Sequence, residues 1–247
     1  MILALLSDVH ANIQALEACL RDARKRGATR FAFLGDLVGY GADAAAVVRT
    51  IMRYAAEGAV VVKGNHDDAV ERRTHGYMND AAREAIDWAR GTLGGEEKQF
   101  LSSLPLCVRS GECCFVHATA RNPDGWSYID SKSAALQSID AAGVPYTFSG
   151  HVHEQRLFAH VGARRASAFE PRGGTAIPLG AHRSWLALVG SVGQPRDGSP
   201  AAGYALFDED RALLTYFRIP YDHAAAARAI RKAGLPESLA FRVERGV

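Results

Sequence analysis

The chain has 247 residues, 48% of them hydrophobic, which supports a substantial core near the size at which a single core stops growing. Its 29 Lys and Arg against 27 Asp and Glu leave a net charge of +2, which argues against a strongly basic nucleic-acid surface and against an acidic tail. No apolar stretch approaches the ~20 residues of a membrane span, and the opening run lacks a basic leader, so a cytoplasmic location is expected.

The first apolar run, residues 2–6, reads as a buried strand. Leu16, Cys19, Leu20 and Ala23 then fall on one helical face, and Gly27 ends that helix. A strand at 31–34 follows. A second helix is expected to start at Asp43 as N-cap, to bury Val47, Val48, Ile51, Met52 and Ala55, and to stop at Gly58. With a strand at 60–62 this is strand-helix-strand-helix-strand, the pattern of a parallel sheet with helices on its faces. Helices are expected near 80–90 and 96–102.

Beyond Pro105 strands dominate, at 106–108, 113–117, 146–149, 156–161, 185–189, 204–208 and 213–219. One helix near 131–141 and an Ala-rich helix over 222–232, ended by Gly234, complete the chain. So many strands do not suit one flat sheet of this size. The expected fold is α/β, a four-layer αββα sandwich of two mixed β-sheets flanked by helices. No repeat or linker divides it, so residues 1–247 read as one domain. The four cysteines, Cys19, Cys107, Cys113 and Cys114, have neither metal-knuckle spacing nor the density of a disulfide scaffold, and read as buried thiols.

Five apolar runs each deliver candidate metal ligands at their downstream end. The first is followed by Asp8 and His10, the second by Asp36, the third by Asn65 and His66. The strand at 113–117 ends in His117, and the one at 146–149 leads to His151 and His153. Open α/β sheets gather ligands at the carboxyl ends of their strands, so these residues are expected to meet. A single histidine after a strand is ordinarily structural, but five of the nine histidines share this placement; His75, His160, His182 and His223 do not, and read as structural or exposed. Hydrolysis of a phosphate ester at neutral pH calls for charge stabilisation on a non-bridging oxygen and for an activated water. Two cations ~3.5–4 Å apart supply both. Holding them needs a carboxylate that can bridge, and Asp36 is the natural choice.

Ser7-Asp8-Val9-His10, Gly35-Asp36, Gly64-Asn65-His66-Asp67, the lone His117 and Gly150-His151-Val152-His153 together resemble the calcineurin-like metallophosphoesterases, closest to the small single-domain prokaryotic members. The resemblance implies the sandwich described above, with Asp8, His10, Asp36 and His153 holding one metal and Asp36, Asn65, His117 and His151 the other. It implies His66 as the catalytic residue near the leaving-group oxygen. The two divalent ions are expected to be Mn²⁺, with Fe, Zn²⁺, Ni²⁺ or Co²⁺ as alternatives, because mixed imidazole and carboxylate ligands do not select one metal.

Protein phosphatases of this superfamily carry an Asp and an Arg after the bridging aspartate, and here Gly39 and Tyr40 occupy those places. That leaves the orienter of His66 unnamed, with Asp67 expected to point away from an extended chain. It also predicts a cleft without a cation at Tyr40, suited to singly charged diesters. Candidate substrate contacts are Asn12, which alternatively caps the first helix, Tyr40 and Arg121, a possible bidentate phosphate grip. Trp126 and Tyr128 read either as base-stacking residues or as anchors into the core. The loop Gly190 to Gly198 resembles a segment of the small prokaryotic members, although Leu188-Val189 replaces the Asn-Pro that precedes it there. The expected function is hydrolysis of a small phosphodiester or nucleotide by attack of metal-bound hydroxide. The enzymatic alternatives are a dinucleoside-polyphosphate hydrolase or a serine/threonine phosphoprotein phosphatase, and the non-enzymatic one is a metal-binding interaction scaffold.

Overall fold

The structure is a computed structural model that describes residues 1–72, 78–162 and 165–247. His75, Arg73 and Arg164 lie outside the described residues. The strands are β1 (Ile2–Leu6), β2 (Arg30–Phe33), β3 (Val60–Val61), β4 (Cys107–Ser110), β5 (Cys113–Val116), β6 (Tyr146–Ser149), β7 (Gln155–His160), β8 (Ala166–Phe169), β9 (Ala176–Pro178), β10 (Trp185–Val189), β11 (Ala202–Asp208) and β12 (Leu213–Ile219). The helices are α1 (Ile13–Lys25), α2 (Ala44–Ala56), α3 (Asn65–Glu71), α4 (Asp80–Thr92), α5 (Gly95–Ser103), α6 (Lys132–Ala142), α7 (His223–Lys232) and α8 (Glu237–Arg245).

Two six-stranded mixed sheets face one another, in the orders β3-β2-β1-β11-β12-β9 and β4-β5-β6-β10-β7-β8. Alternate residues of β1 explain its unbroken hydrophobicity. Leu3 and Leu5 enter the layer between the sheets with Phe115, Phe148, Phe207 and Tyr216. Ala4 and Leu6 face the opposite way, onto α1, α2 and the C-terminal helices. A strand buried on both faces has no polar side to alternate. The far side of the second sheet is covered by α6 through Ala135 and Ile139, which meet Phe158, Leu186 and Leu188. Helix, sheet, sheet and helix are therefore the four layers.

Each sheet contains a parallel trio, β3, β2 and β1 at one end of the first and β5, β6 and β10 in the middle of the second. Register aligns their carboxyl ends, with Leu6 beside Phe33 and Phe115 beside Phe148. The loops that follow all six strands thus open on one edge of the sandwich.

Several local expectations change. Helix α3 begins directly at Asn65, where the chain was expected to be extended, and β8, β9 and α8 have no counterpart in the sequence reading. Asp43 stands at the N-cap of α2 but makes no cap hydrogen bond; its carboxylate accepts from Gln14 Nε2 at 3.3 Å. Among the described residues, no helix is long and apolar enough to cross a membrane.

Candidate metal centre and cleft

The loops after β1, β2, β3, β5 and β6 bring all seven candidate ligands together. Asp8, His10, Asp36, Asn65, His117, His151 and His153 are buried and meet at one point of the sheet edge. Asp8, His10 and His153 form one group. Asp36, His117 and His151 form a second, with the ligand atoms in each group within 4.8 Å of one another. Asp8, His10, Asp36, His151 and His153 all have positive φ, between 48° and 67°. Left-handed backbone on non-glycine residues costs of order 1 kcal/mol or more each, and such strain concentrates at functional sites.

Each histidine of the two groups has one ring nitrogen against a backbone carbonyl. His10 Nδ1 donates to Val38 O at 3.1 Å, His117 Nδ1 to Leu34 O at 2.7 Å, His153 Nδ1 to Gln194 O at 2.5 Å and His151 Nε2 to Trp126 O at 2.9 Å. A carbonyl can only accept, so these bonds fix the proton and leave the other nitrogen of each neutral ring as a lone pair. Those free nitrogens face one another. His10 Nε2 and His153 Nε2 are 3.1 Å apart, as are His117 Nε2 and His151 Nδ1. Two lone pairs at that distance repel unless a positive charge lies at the point where they converge. Asn65 Oδ1, 3.1 Å from His117 Nε2, adds an oxygen to the second convergence.

Asp36 stands between the groups, with Oδ2 3.7 Å from His10 Nε2 and 3.4 Å from His117 Nε2, while Oδ1 accepts the backbone N–H of His66 at 2.8 Å. Asp8 Oδ1 lies 3.2 Å from His153 Nε2. Burial alone would push both carboxyls up, but the surrounding imidazoles outweigh it and hold them far below the usual carboxylate range. His117 shows the same demand from the other side: burial would lower it, yet Asp36 raises it to about 9, so with no cation present Nε2 takes up a proton, a positive charge at the point where a metal would otherwise meet the lone pair. The donor set, its fixed tautomers and the clustered negative charge fit two divalent cations.

His66 differs from the other four. Its ring lies edge-on to His10, with centroids 4.8 Å apart, and tilted against Tyr40 at 4.5 Å. Nδ1 is enclosed and has no hydrogen-bond partner among the described residues. Burial pushes the imidazole down to about 4. Asp67, one turn into α3, does not orient it; its carboxylate accepts from the N–H groups of Leu37 at 2.9 Å, Val38 at 3.3 Å and Gly64 at 2.9 Å, and so ties the loop after β2 to the start of α3.

Above this centre opens a cleft of about 320 Å³, lined by His66, Tyr40, Asn65, Trp126, Tyr128 and Arg196 among others. Tyr128 is 52% exposed and stacks on the His151 ring at 4.1 Å, and Trp126 borders His117 at 6.0 Å. These aromatics wall the cleft; they are not anchors into the core. Of the three candidate substrate contacts, only Tyr40 lines it. Asn12 is the N-cap of α1, accepting from Ala15 N at 3.1 Å, and its amide donates to Gly193 O and to the Tyr221 hydroxyl, both at 3.0 Å. Arg121 reaches away to Gln137 Oε1, beside a separate depression.

The expectation of a cleft without a cation is corrected by the loop after β10. Ser191 Oγ donates to Asp8 O at 2.8 Å, Val192 N to Ser7 O at 2.9 Å and Gly193 N to Asp8 O at 2.9 Å. Gly193 permits this approach, since a Cβ there would stand 1.9 Å from Val9 O. Gln194 holds His153 through its carbonyl, and Arg196 then enters the cleft beside Tyr40. The sequence marked this loop, but nothing in its pattern of small and polar residues revealed which side chain would reach the site.

The family model described as "Calcineurin-like phosphoesterase superfamily domain" matches residues 1–212. The uncharacterized protein MJ0912 of Methanocaldococcus jannaschii is 33% identical, over 98% of this chain and 96% of its own. The crystal structure of a metallophosphoesterase from Sphaerobacter thermophilus superimposes with a TM-score of 0.90 at 36% identity, covering 100% of this chain and 99% of that one. That of the hypothetical protein PH1004 from Pyrococcus horikoshii OT3 gives 0.80 at 17% identity, over 100% and 98%. The ligand-bearing loops, the two facing sheets and these matches agree: the chain belongs to the calcineurin-like phosphoesterase superfamily, hydrolases of phosphoric esters.

Proposed function

We propose that this chain, as one catalytic domain, is a binuclear metal-dependent phosphoesterase acting on a small phosphodiester or nucleotide. One observation carries the reading: two pairs of imidazole lone pairs, each 3.1 Å apart, lie on either side of a shared carboxylate, Asp36. Asp8, His10, Asp36 and His153 would hold one divalent ion, and Asp36, Asn65, His117 and His151 the other, with manganese the expected metal. Bound there, two such ions supply Lewis acidity toward the phosphoryl group and activate a water as nucleophile.

The remaining work falls to the chain itself. Asp36, with its backbone-held Oδ1, fixes the spacing of the two sites. His66 lines the cleft together with Asp36 and Asn65, and from there would assist departure of the leaving oxygen. Trp126 and Tyr128 offer apolar faces to a base or an aryl group. Complete ligand groups beneath an open cleft argue against an interaction scaffold.

The test is elemental analysis of purified protein together with turnover of bis-p-nitrophenyl phosphate, p-nitrophenyl phosphate and a nucleotide panel with Mn²⁺. Two transition-metal ions per chain and chelator-sensitive turnover are expected. A protein that binds two ions yet turns over none of these, or that binds fewer than two at saturation, contradicts the reading.

A further inference from the structure

Arg196 is a cation in the cleft without an anionic partner among the described residues. Its Nη2 donates to Gln194 Oε1 at 3.2 Å and stands 3.5 Å from the Tyr40 hydroxyl, and both are neutral oxygens. Its Nε is enclosed and meets no acceptor among the described residues. The neighbouring Asp197 does not neutralise it, because that carboxylate is engaged by Arg218, with Nη2 at 2.9 Å from Oδ1 and Nη1 at 2.5 Å from Oδ2. Among the described residues Arg196 forms no ion pair. A guanidinium presents a planar fork of donors that matches the oxygens of a phosphate. Here that fork has vacant donors and faces a cleft whose floor bears the candidate metal ligands.

Its place is also defined. The guanidinium carbon is 5.9 Å from the Tyr40 ring centre, and the other contacts of that ring are His66 and His10, each at 4.5 Å. Arg196 thus lies on the His66 side of the cleft, whereas Trp126 and Tyr128 border His117 and His151. Pro195 restricts the backbone just before it, and Gln194 N donates to Ser191 Oγ at 2.8 Å, so the loop presents the arginine from a fixed base. A cation beside the residue assigned to the leaving oxygen is suited to a leaving group that is itself charged.

The geometry points to Arg196 as the residue that receives an anionic leaving group, so that the substrate is a phosphoanhydride such as a nucleoside or dinucleoside polyphosphate. This rests on the role of His66 proposed above. One P–O bond forms from water and the bridging P–O bond breaks, its electron pair departing on the phosphate held by the guanidinium; the proton released by water passes to solvent. Tyr40, kept in place by His10 and His66, spaces the arginine one ring away from the reacting phosphoryl group.

The experiment compares Mn²⁺-loaded wild type, Arg196→Ala and Arg196→Lys on two substrates. Diadenosine triphosphate expels ADP, and bis-p-nitrophenyl phosphate expels a group with no phosphate. Arg196→Ala should lower kcat/KM about 100-fold on the first and about threefold on the second, and lysine should restore part of the difference. Isothermal titration of ADP into the same proteins should show Kd rising at least tenfold in the alanine variant. Equal losses on both substrates, an unchanged ADP affinity, or a larger loss on bis-p-nitrophenyl phosphate than on diadenosine triphosphate would overturn the assignment; the last would place Arg196 on the transferred phosphoryl group. Absence of wild-type turnover on bis-p-nitrophenyl phosphate speaks instead against the phosphoesterase reading, and the ADP titration still decides the role of Arg196.

Discussion

A methyl group on Gly39 would lie 2.2 Å from His66 Nδ1. The imidazole therefore rests directly on the backbone of Gly39, flanked by Tyr40 and His10, and its Nδ1 has no hydrogen-bond partner among the described residues. Packing, rather than a carboxylate, orients this histidine. Gly39 also has φ of +86°, a conformation that other residues adopt at a cost. Gly39→Ala should displace the His66 ring and lower kcat by about 10–100-fold, no more than the lower end of the ~10²–10⁴-fold that complete loss of acid-base help entails. Metal content should be retained. Kinetics alongside elemental analysis check this; a kcat within threefold of wild type would show that the ring position is not critical.

His66 and Asp36 should separate chemistry from metal binding. Asp36 Oδ2 stands between the two ligand groups, 3.7 Å from His10 Nε2 and 3.4 Å from His117 Nε2, and His66 has no carbonyl-fixed tautomer of the kind that the other four histidines have. Asp36→Ala should lose metal and activity together. His66→Ala should keep both ions and lose ~10²–10⁴-fold in turnover. His66 does share a potential ligand group with His10 and Asp36, so release of an ion by His66→Ala would reassign it as a ligand.

Much of this site was legible because its chemistry sits at strand ends. Asp8, Asp36, His117 and His151 each follow a short apolar run, and parallel pairing of those runs brings them to one edge regardless of their separation in sequence. Three features were hidden for physical reasons. Helix α3 is seven residues long and starts at a candidate ligand, too short for hydrophobic periodicity to register. β8 and β9 are edge strands of mixed exposure, without the alternation that marks a half-buried strand. Arg196 reaches the cleft only because the loop after β10 folds back onto residues 7–9, a contact between segments more than 180 residues apart that no local pattern encodes. The same long-range contact explains why Tyr40 was a poor guide to cleft charge: the cation comes from a different loop.

Asp22 gives a stability prediction away from the metals. Its Oδ2 accepts from Arg26 Nε and from the Tyr204 hydroxyl, both at 2.6 Å, joining α1 to β11. Burial alone would raise its carboxyl, but those two bonds outweigh it and hold the group below its ordinary value. A depressed folded-state value means that the carboxylate stabilises the fold above its unfolded value of ~3.9 and loses that contribution as pH falls through the lower, folded value. Asp22→Asn should cost about 1–2 kcal/mol at pH 7, a fall in Tm of roughly 2–8 °C for a chain of this size. Thermal unfolding of both proteins at pH 7 and pH 3 should show the gap narrowing in acid. A gap that widens in acid has the wrong sign for this linkage.

Asn12 separates a helix cap from a loop tether. Its Oδ1 caps α1 at Ala15 N, and its Nδ2 donates to Gly193 O in the loop that carries Arg196. Serine caps helices about as well as asparagine, whereas alanine loses roughly 1 kcal/mol. A serine hydroxyl is too short to satisfy both partners. Asn12→Ser should therefore keep most of the wild-type Tm, while Asn12→Ala falls by roughly 2–4 °C. Both should lose the tether, leaving the Gly193 carbonyl without its amide donor and loosening the path from Asp8 through Ser191 and Gln194 to Arg196. Their kcat/KM should drop together, about tenfold, since a misplacement of about 1 Å can cost up to 100-fold. Activity that tracks Tm across the two variants, with Asn12→Ser fully active, would show that Asn12 serves only as a cap.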